Sequence, residues 1–444
     1  MIEVLANRTY RHLFLAQVVA LIGTGLATVA LGLLAYDLAG KDAGAVLGTA
    51  LAIKMVAYVF VAPLAGAYAN RLPRRAMLVA LDLLRMAVVL ALPWVDQVWQ
   101  IYVLIFVLQS CSAAFTPTFQ ATIPDVLPKE SDYTKALSLS RLAYDLENLL
   151  SPALAAALLA LVTHHGLFLG TAVGFLGSAL LVVSVVLPYA KVPGASGDIR
   201  RKLTRGLHIY LATPRLRGLL ALTLAAAAGS AMVIVNTVVI VRDGLARPDS
   251  AVAIALAAFG SGSMLMAFLL PRLLERRTDR VVMVAAGLGL SVGLIVLAVV
   301  WPALAPAARW PALLADWFVL GLAYSALVTP GGRLLRRSSN DADRPALYAA
   351  QFSLSHACWL LAYPLVGWLG AKVGIDAALW AMGGLAIVGV VTAARLWPRV
   401  ETDRVPHAHD DLPADHPHLL EHGVNGHHVH VYVIDDLHAR WPAR

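Results

Sequence analysis

The sequence predicts an all-α integral membrane protein of twelve transmembrane helices, arranged as two six-helix repeats and followed by a polar tail. Three observations predict it. Residues 12 to 398 form an almost unbroken series of apolar stretches of about 18 to 25 residues, the length a helix needs to cross a hydrocarbon core. These stretches carry no strand-length alternation, and in lipid each segment must satisfy its own backbone polar groups, which leaves helices. Hydrophobic residues make up 59% of the chain and charged ones 14%, a balance that excludes a soluble enzyme of this length.

The spans are expected at 14–37, 45–69, 76–95, 98–121, 136–162, 166–188, 217–241, 250–271, 281–301, 312–330, 346–369 and 376–397. The first follows Arg8 and Arg11 and has no small-residue cleavage site, so it reads as a retained helix and not as a signal peptide. This divides the chain into a six-helix bundle over 1–190, a linker over 191–216, a second bundle over 217–398 and a tail over 399–444. The linker opens with Pro193, Gly194, Ser196 and Gly197 and continues into a basic run, too polar and Gly-rich for the membrane.

Orientation follows from the loops. Arg71, Arg74 and Arg75, Lys129 and Lys135, Arg200 to Arg205, Arg272 to Arg280, and Arg333 to Arg337 all fall on one side. The other side has only scattered Lys41, Arg242, Arg247, Arg309 and Lys372, so both termini are expected in the cytoplasm of a bacterial cell, with the spans in its inner membrane. The net charge of +8 is mostly this topological signal and gives no reason to expect nucleic acid as a partner. Cys111 and Cys358 lie inside spans 4 and 11 and read as small buried hydrophobes.

The chain also repeats itself. Thr116-Pro117 recurs as Thr329-Pro330, Ala136-Leu137 as Ala346-Leu347, and Pro152 as Pro364, which carries spans 4 and 5 onto spans 10 and 11. A substrate is expected near the midplane between the halves, where rocking exposes one site to each side in turn.

The loop GAYANRLPRR (66–75) resembles the signature of the major facilitator superfamily: a Gly, an acidic residue with Arg, a Gly, then two basic residues. Gly66, Asn70, Arg71, Arg74 and Arg75 are the positions concerned, with Asn70 where the family usually has Asp and Pro73 where it usually has Gly. The resemblance implies a twelve-helix carrier gated at this loop, in which the arginines interact with helix ends in place of an Asp-based ion pair. Residues 115–158 are similar to the span 4 to span 5 region of the superfamily's efflux branch related to macrolide and siderophore exporters. Ser151-Pro152 and Ala155-Ala156 stand there in place of the Gly-Pro and paired glycines of drug/proton antiporters; a plain packing kink is the other reading of Pro152.

Charges inside spans are costly unless they face a cavity or a partner. Lys54, Asp145, Glu147 and His356 are each expected about 14 to 17 Å deep, near the midplane, where they would form one polar cluster. Arg141, Asp145, Asn148 and Pro152 share one helical face, the expected cavity lining of span 5, whereas Glu147 falls on another face. A carboxylate and an imidazole at that depth can exchange protons or ligate a cation, so Asp145 and His356 are the candidate coupling residues. Lys54 opposes a simple cation site unless Asp145 or Glu147 neutralises it, which leaves room for an organic or anionic substrate. Asp82 and Arg85, three residues apart in span 3, read either as a structural ion pair or as a gate. Asp37 and Asp316 are expected at the membrane interface.

The tail carries nine of the fourteen histidines: His407, His409, His416, His418, His422, His427, His428, His430 and His438, with Asp410, Asp411, Asp415, Asp435 and Asp436 between them. Imidazole with carboxylate suits Ni, Co, Zn and Cu(II), and a tail without Cys or Met does not suit a soft ion. In HHVHVYVIDDLH (427–438), alternation puts His428 and His430 on one side of an extended segment. A solvated tail with incidental histidines is the plainer alternative. The layout of twelve spans and a His-rich cytoplasmic tail resembles the nickel-resistance exporters of the superfamily.

The expectation is therefore a proton-coupled exporter of a divalent transition metal, nickel or cobalt first, with no required cofactor. An exporter of hydrophobic drugs or siderophore-like compounds is the competing reading, and a membrane metal sensor that transports nothing is the competing class. The tail is too short and polar for an appended signalling domain. No HExxH, nucleophile elbow or phosphate loop suggests an enzyme.

Overall fold

A computed structural model of the chain describes residues 2–68, 73–129, 154–187, 199–340, 343–399, 404–407, 423–424 and 427–442, with positions 132, 135, 136, 139, 140, 143 and 151. The first bundle supplies α1 (Arg8–Ala39), α2 (Ala43–Tyr68), α3 (Arg74–Ala91), α4 (Val98–Val126) and α5 (His164–Val183). After α6 (Ile199–Ala212), the second supplies α7 (Pro214–Val239), α8 (Asp249–Arg276), α9 (Asp279–Val300), α10 (Pro306–Val328), the short α11 (Gly331–Arg337), α12 (Arg344–Lys372) and α13 (Ile375–Leu396). Ten segments among the described residues are long and apolar enough to cross a membrane, and the first, Arg8–Val61, holds both α1 and most of α2. They account for eleven expected spans; about half of the expected span 136–162 falls outside the described residues.

Helix ends follow caps more than hydropathy. The Asn7 side chain accepts from the Tyr10 amide, starting α1 six residues before the apolar run expected at 14, and Gly40 ends it at φ 54°, where a side chain would be strained. Pro306 sits in the first turn of α10, where its missing N–H costs nothing. Asp316, expected at the interface, falls in mid-helix because of this early start, with Oδ1 3.2 Å from where a Cβ on Gly293 of α9 would stand.

The chain crosses back and forth, so the starts of α1, α3, α9 and α12, the ends of α4, α5, α10 and α13, and all of α6 and the tail share one face, here the linker face. The ends of α1 and α12 and the starts of α2, α5 and α8 share the opposite face. The halves meet where α2 lies along α12 and where α1 and α2 touch α7. Small residues let these backbones touch: a Cβ on Gly48 would stand 2.4 Å from the Tyr363 carbonyl oxygen, and one on Gly367 2.2 Å from that of Gly44. The α7 helix lies at the centre, where its hydroxyls Thr237 and Ser230 accept the indole N–H groups of Trp317 and Trp359 at 2.8 and 3.0 Å.

The repeat reappears in the joints of the linker face. Arg75 at the start of α3 donates to the Val183 carbonyl at the end of α5, and Arg280 at the start of α9 donates to the Ala394 and Trp397 carbonyls at the end of α13, at 3.1 and 3.0 Å. A second joint is duplicated with its charges exchanged. Arg74 pairs with Asp125 at the end of α4, while Asp279, one residue before Arg280, pairs with Arg333 and Arg337 around α11 at 3.2 and 3.1 Å.

The linker is more ordered than its composition suggests. Its second part is the amphipathic α6, fastened to the second half: a Cβ on Gly206 would stand 2.1 Å from the Ala346 carbonyl oxygen, and Arg205 makes a two-pronged pair with Asp343 at 3.1 and 3.0 Å. The tail forms a small sheet of β1 (Arg404–His407), β2 (Gly423–Val424) and β3 (His427–Val431) in the order β1-β3-β2, so the all-helical expectation holds for the membrane part alone.

Candidate functional site

Two of the expected midplane residues come together across the boundary of the halves. Lys54 of α2 has its Nζ 5.9 Å from the centre of the Tyr58 ring, and Tyr58 stacks on His356 of α12 with centres 5.3 Å apart and planes 7° from parallel. Phe352 also packs on the imidazole, at 4.1 Å, and lies 6.0 Å from the Tyr58 ring. His356 Nδ1 lies 2.7 Å from the Phe352 carbonyl oxygen, which can only accept, so the ring donates from Nδ1 and keeps its lone pair on Nε2. That nitrogen is the one available to take a proton or a cation. The other members expected here, Arg141, Asp145 and Glu147, lie outside the described residues.

Asp82 and Arg85 form an ion pair inside the first half, 0% and 4% exposed. The Ser178 hydroxyl donates to the second carboxylate oxygen of Asp82 at 2.7 Å, and the guanidinium lies over Phe115 and Phe175 at 4.3 and 4.5 Å. Beyond the pair itself, these contacts run from α3 to α4 and α5, within the first bundle. Of the signature loop, Gly66 lies in α2, Asn70 and Arg71 lie outside the described residues, and Arg74 and Arg75 serve the joints already described.

Tyr58 and Phe352 carry no signal in the sequence, because aromatics are common in spans. Asn236 does carry one, as an amide within an apolar run. It is 0% exposed in α7, donates to the Val366 carbonyl at 3.3 Å, and fills the space left by Gly44 of α2 and Gly370 of α12.

In the tail, the register sets His407 of β1 opposite His428 of β3, and Val405 opposite His430. Positions 407, 428 and 430 therefore share one face of the sheet. His427 is on β3, while His409, His416, His418 and His422 lie outside the described residues. His438 serves the packing of the tail: it is 3% exposed, lies edge-on against Tyr432 at 4.7 Å, and stands 2.8 Å from Asp435 Oδ1. The end of the tail docks on α6, where Arg205 reaches Asp436 as well as Asp343 and His208 donates to the Ala439 carbonyl at 3.1 Å.

Asp435 gives this docking a pH dependence. Burial pushes its carboxyl up, but the His438 ring and the amides of His438 and Leu437 outweigh that and hold it below its ordinary value. Stability from this group is therefore full above about pH 3.9, the ordinary value, and lost as the pH falls through the lowered one. Hydrogen exchange over 432–440 is expected to stay slow at pH 5 and to speed up only below that range, whereas a loss of protection between pH 7 and 5 would rule out Asp435 as its source.

The helical pairing and the duplicated joints describe a two-fold repeat architecture. The family model of the Major Facilitator Superfamily matches the chain twice, over residues 13–245 and 219–421. The chain belongs to the Major Facilitator Superfamily. It is a membrane transporter of that family and not an enzyme. Among curated proteins it is 29% identical over 125 residues to the uncharacterized MFS-type transporter YfiS of Bacillus subtilis (strain 168), an alignment covering 28% of this chain and 30% of that relative. Among solved structures it is similar to a mutant of the nucleoside transporter NupG (TM-score 0.70, 13% identity, 88% of this chain and 100% of that one). It is also similar to a bacterial homolog of the human lysosomal transporter Spinster, inward-facing and unoccupied (TM-score 0.67, 13% identity, 87% and 95%). A D-xylose-proton symporter gives a TM-score of 0.62 at 15% identity over 89% and 97% of the two chains. At these identities the likeness concerns the fold.

Proposed function

We propose that this superfamily member exports a divalent transition metal, nickel or cobalt first, from the bacterial cytoplasm in exchange for protons, with its linker face cytoplasmic. The observation that carries the reading is the tail sheet, whose register sets His407 against His428 and puts His430 on the same face. Histidine positions set on one face of a sheet suit borderline ions, and the tail would collect metal where the carrier loads. The basic loops of the linker face support the orientation. Asp145 and His356 are the proposed coupling pair, with Lys54 beside them as the charge that changes partners.

The test is transport by the purified chain in proteoliposomes under an imposed proton gradient, with a Ni²⁺- and Co²⁺-sensitive dye inside. Gradient-driven metal entry through inverted carriers is expected, and Asp145→Asn is expected to abolish it at near-normal protein incorporation. Metal that does not move with or without a gradient would overturn the reading. A second reading has one observation in its favour: Lys54 and His356 share the aromatic lining of Tyr58 and Phe352, which suits an organic anion or hydrophobic solute better than a bare cation. Drug efflux by the same liposomes without metal movement would select it.

A further inference from the structure

The opposite face carries a cluster of ligand-type side chains that neither the tail nor the midplane explains. Asp37 in the last turn of α1, and His164 and His165 at the start of α5, each offer one donor atom, and these atoms all lie within 4.8 Å of one another. Asp37 and His165 are exposed, whereas the His164 side chain is only 9% exposed. The buried Nε2 of His164 lies 3.1 Å from Asp37 Oδ2 but in an orientation that makes no hydrogen bond. Its Nδ1 faces Asp249 Oδ2 of α8 at 3.6 Å, and Asp249 is held by Arg242 at 3.0 Å.

We propose that Asp37, His164 and His165 form a binding site for a divalent first-row transition-metal ion at the opposite mouth of the carrier. An ion about 2.0 to 2.2 Å from each ligand atom holds its donors roughly 3.3 to 3.6 Å apart in tetrahedral geometry. Asp37 Oδ2 and His164 Nε2 are already close to that spacing. An ion between them would satisfy the buried nitrogen that the carboxylate leaves unpaired, an omission that otherwise costs about 1 to 3 kcal/mol. The other side of the ring has the arrangement that ligating histidines use, a carboxylate facing the second nitrogen to fix the tautomer and orient the ring. Two imidazoles and one carboxylate suit Zn²⁺, Co²⁺ and Ni²⁺, and the exposed His165 and Asp37 give the ion a way in. Asp249 belongs to the second half, so the site is complete only while the halves meet on this face. A bound ion would favour that conformation.

The site does not rest on metal export. Its test is Co²⁺ titration of the purified full-length chain, followed by visible absorption and equilibrium dialysis, with the nine tail histidines changed to Gln. One ion per chain is expected, with affinity lowered more than about tenfold by Asp37→Asn, His164→Gln and His165→Gln. His165 is exposed, so His165→Gln decides the matter even where His164→Gln does not fold, as judged by size exclusion. A folded, tail-silenced chain that retains no Co²⁺, or that binds it equally well after His165→Gln, overturns the proposal. Metal transport that fails in liposomes while this binding persists would remove the export reading and leave the site.

Discussion

Asp82→Ala is expected to cost about 3 to 5 kcal/mol of stability and to cut the folded yield sharply, because it leaves the buried Arg85 guanidinium without its counter-charge. Phe115 and Phe175 can share only part of that charge through their ring faces. Removing both charges is a different experiment. Asp82→Leu with Arg85→Met is expected to recover most of the loss, since a buried pair replaced by apolar side chains of similar volume is often neutral. Thermal unfolding of the solubilised chain, read alongside expression, measures both. If Asp82→Ala unfolds like the parent but fails to transport, the pair is a gate and not a joint.

Gly367→Leu and Gly48→Leu are each expected to part the two halves on the opposite face. A Cβ at these positions meets backbone carbonyl oxygen at 2.2 and 2.4 Å, and backbone cannot swing aside as a side chain can. Overpacking of this kind costs about 1 to 3 kcal/mol or more, which lowers the population of the joined state roughly fivefold to more than a hundredfold. Spin labels on Lys41→Cys and Val373→Cys, which flank the Asp42–Lys372 ion pair of 3.0 Å, should then report longer distances and a loss of transport. An unchanged distance distribution would mean that this contact does not set the closure.

How much of this is legible in the sequence depends on whether a residue departs from its surroundings. The spans are readable because a bilayer demands a length and a composition. Lys54, Asp82, Arg85 and His356 stand out because charge within apolar sequence is costly, and the structure brings Lys54 and His356 to the same ring. Faces are harder to read: lipid and the bundle interior are equally apolar, so the period that marks the core side of a soluble helix is nearly absent, and Tyr58 and Gly367 carry no mark. The partners Asp125 and Asp279 read as ordinary loop charges, because pairing across helices leaves no local pattern. The linker helix does leave one, with Ile199, Leu203, Leu207, Tyr210 and Leu211 at helical spacing, but the preceding Pro and Gly point to a loop. His164 reads as the edge of a loop for a similar reason, since only the fold brings it to Asp37 and Asp249.

The pairing of β1 with β3 has a consequence for the tail positions on these strands. His407 and His428 stand on paired strands, and beyond the sheet Arg205 clasps Asp436, so both strands are tied to the linker face. A donor tethered at both ends is presented to its neighbours at an effective concentration on the order of millimolar, whatever the protein's own concentration. On the export reading proposed above, an ion released by one position of the sheet would meet another before it met bulk solvent, and residence at the tail would depend on how many positions share the face and not on the affinity of any one of them.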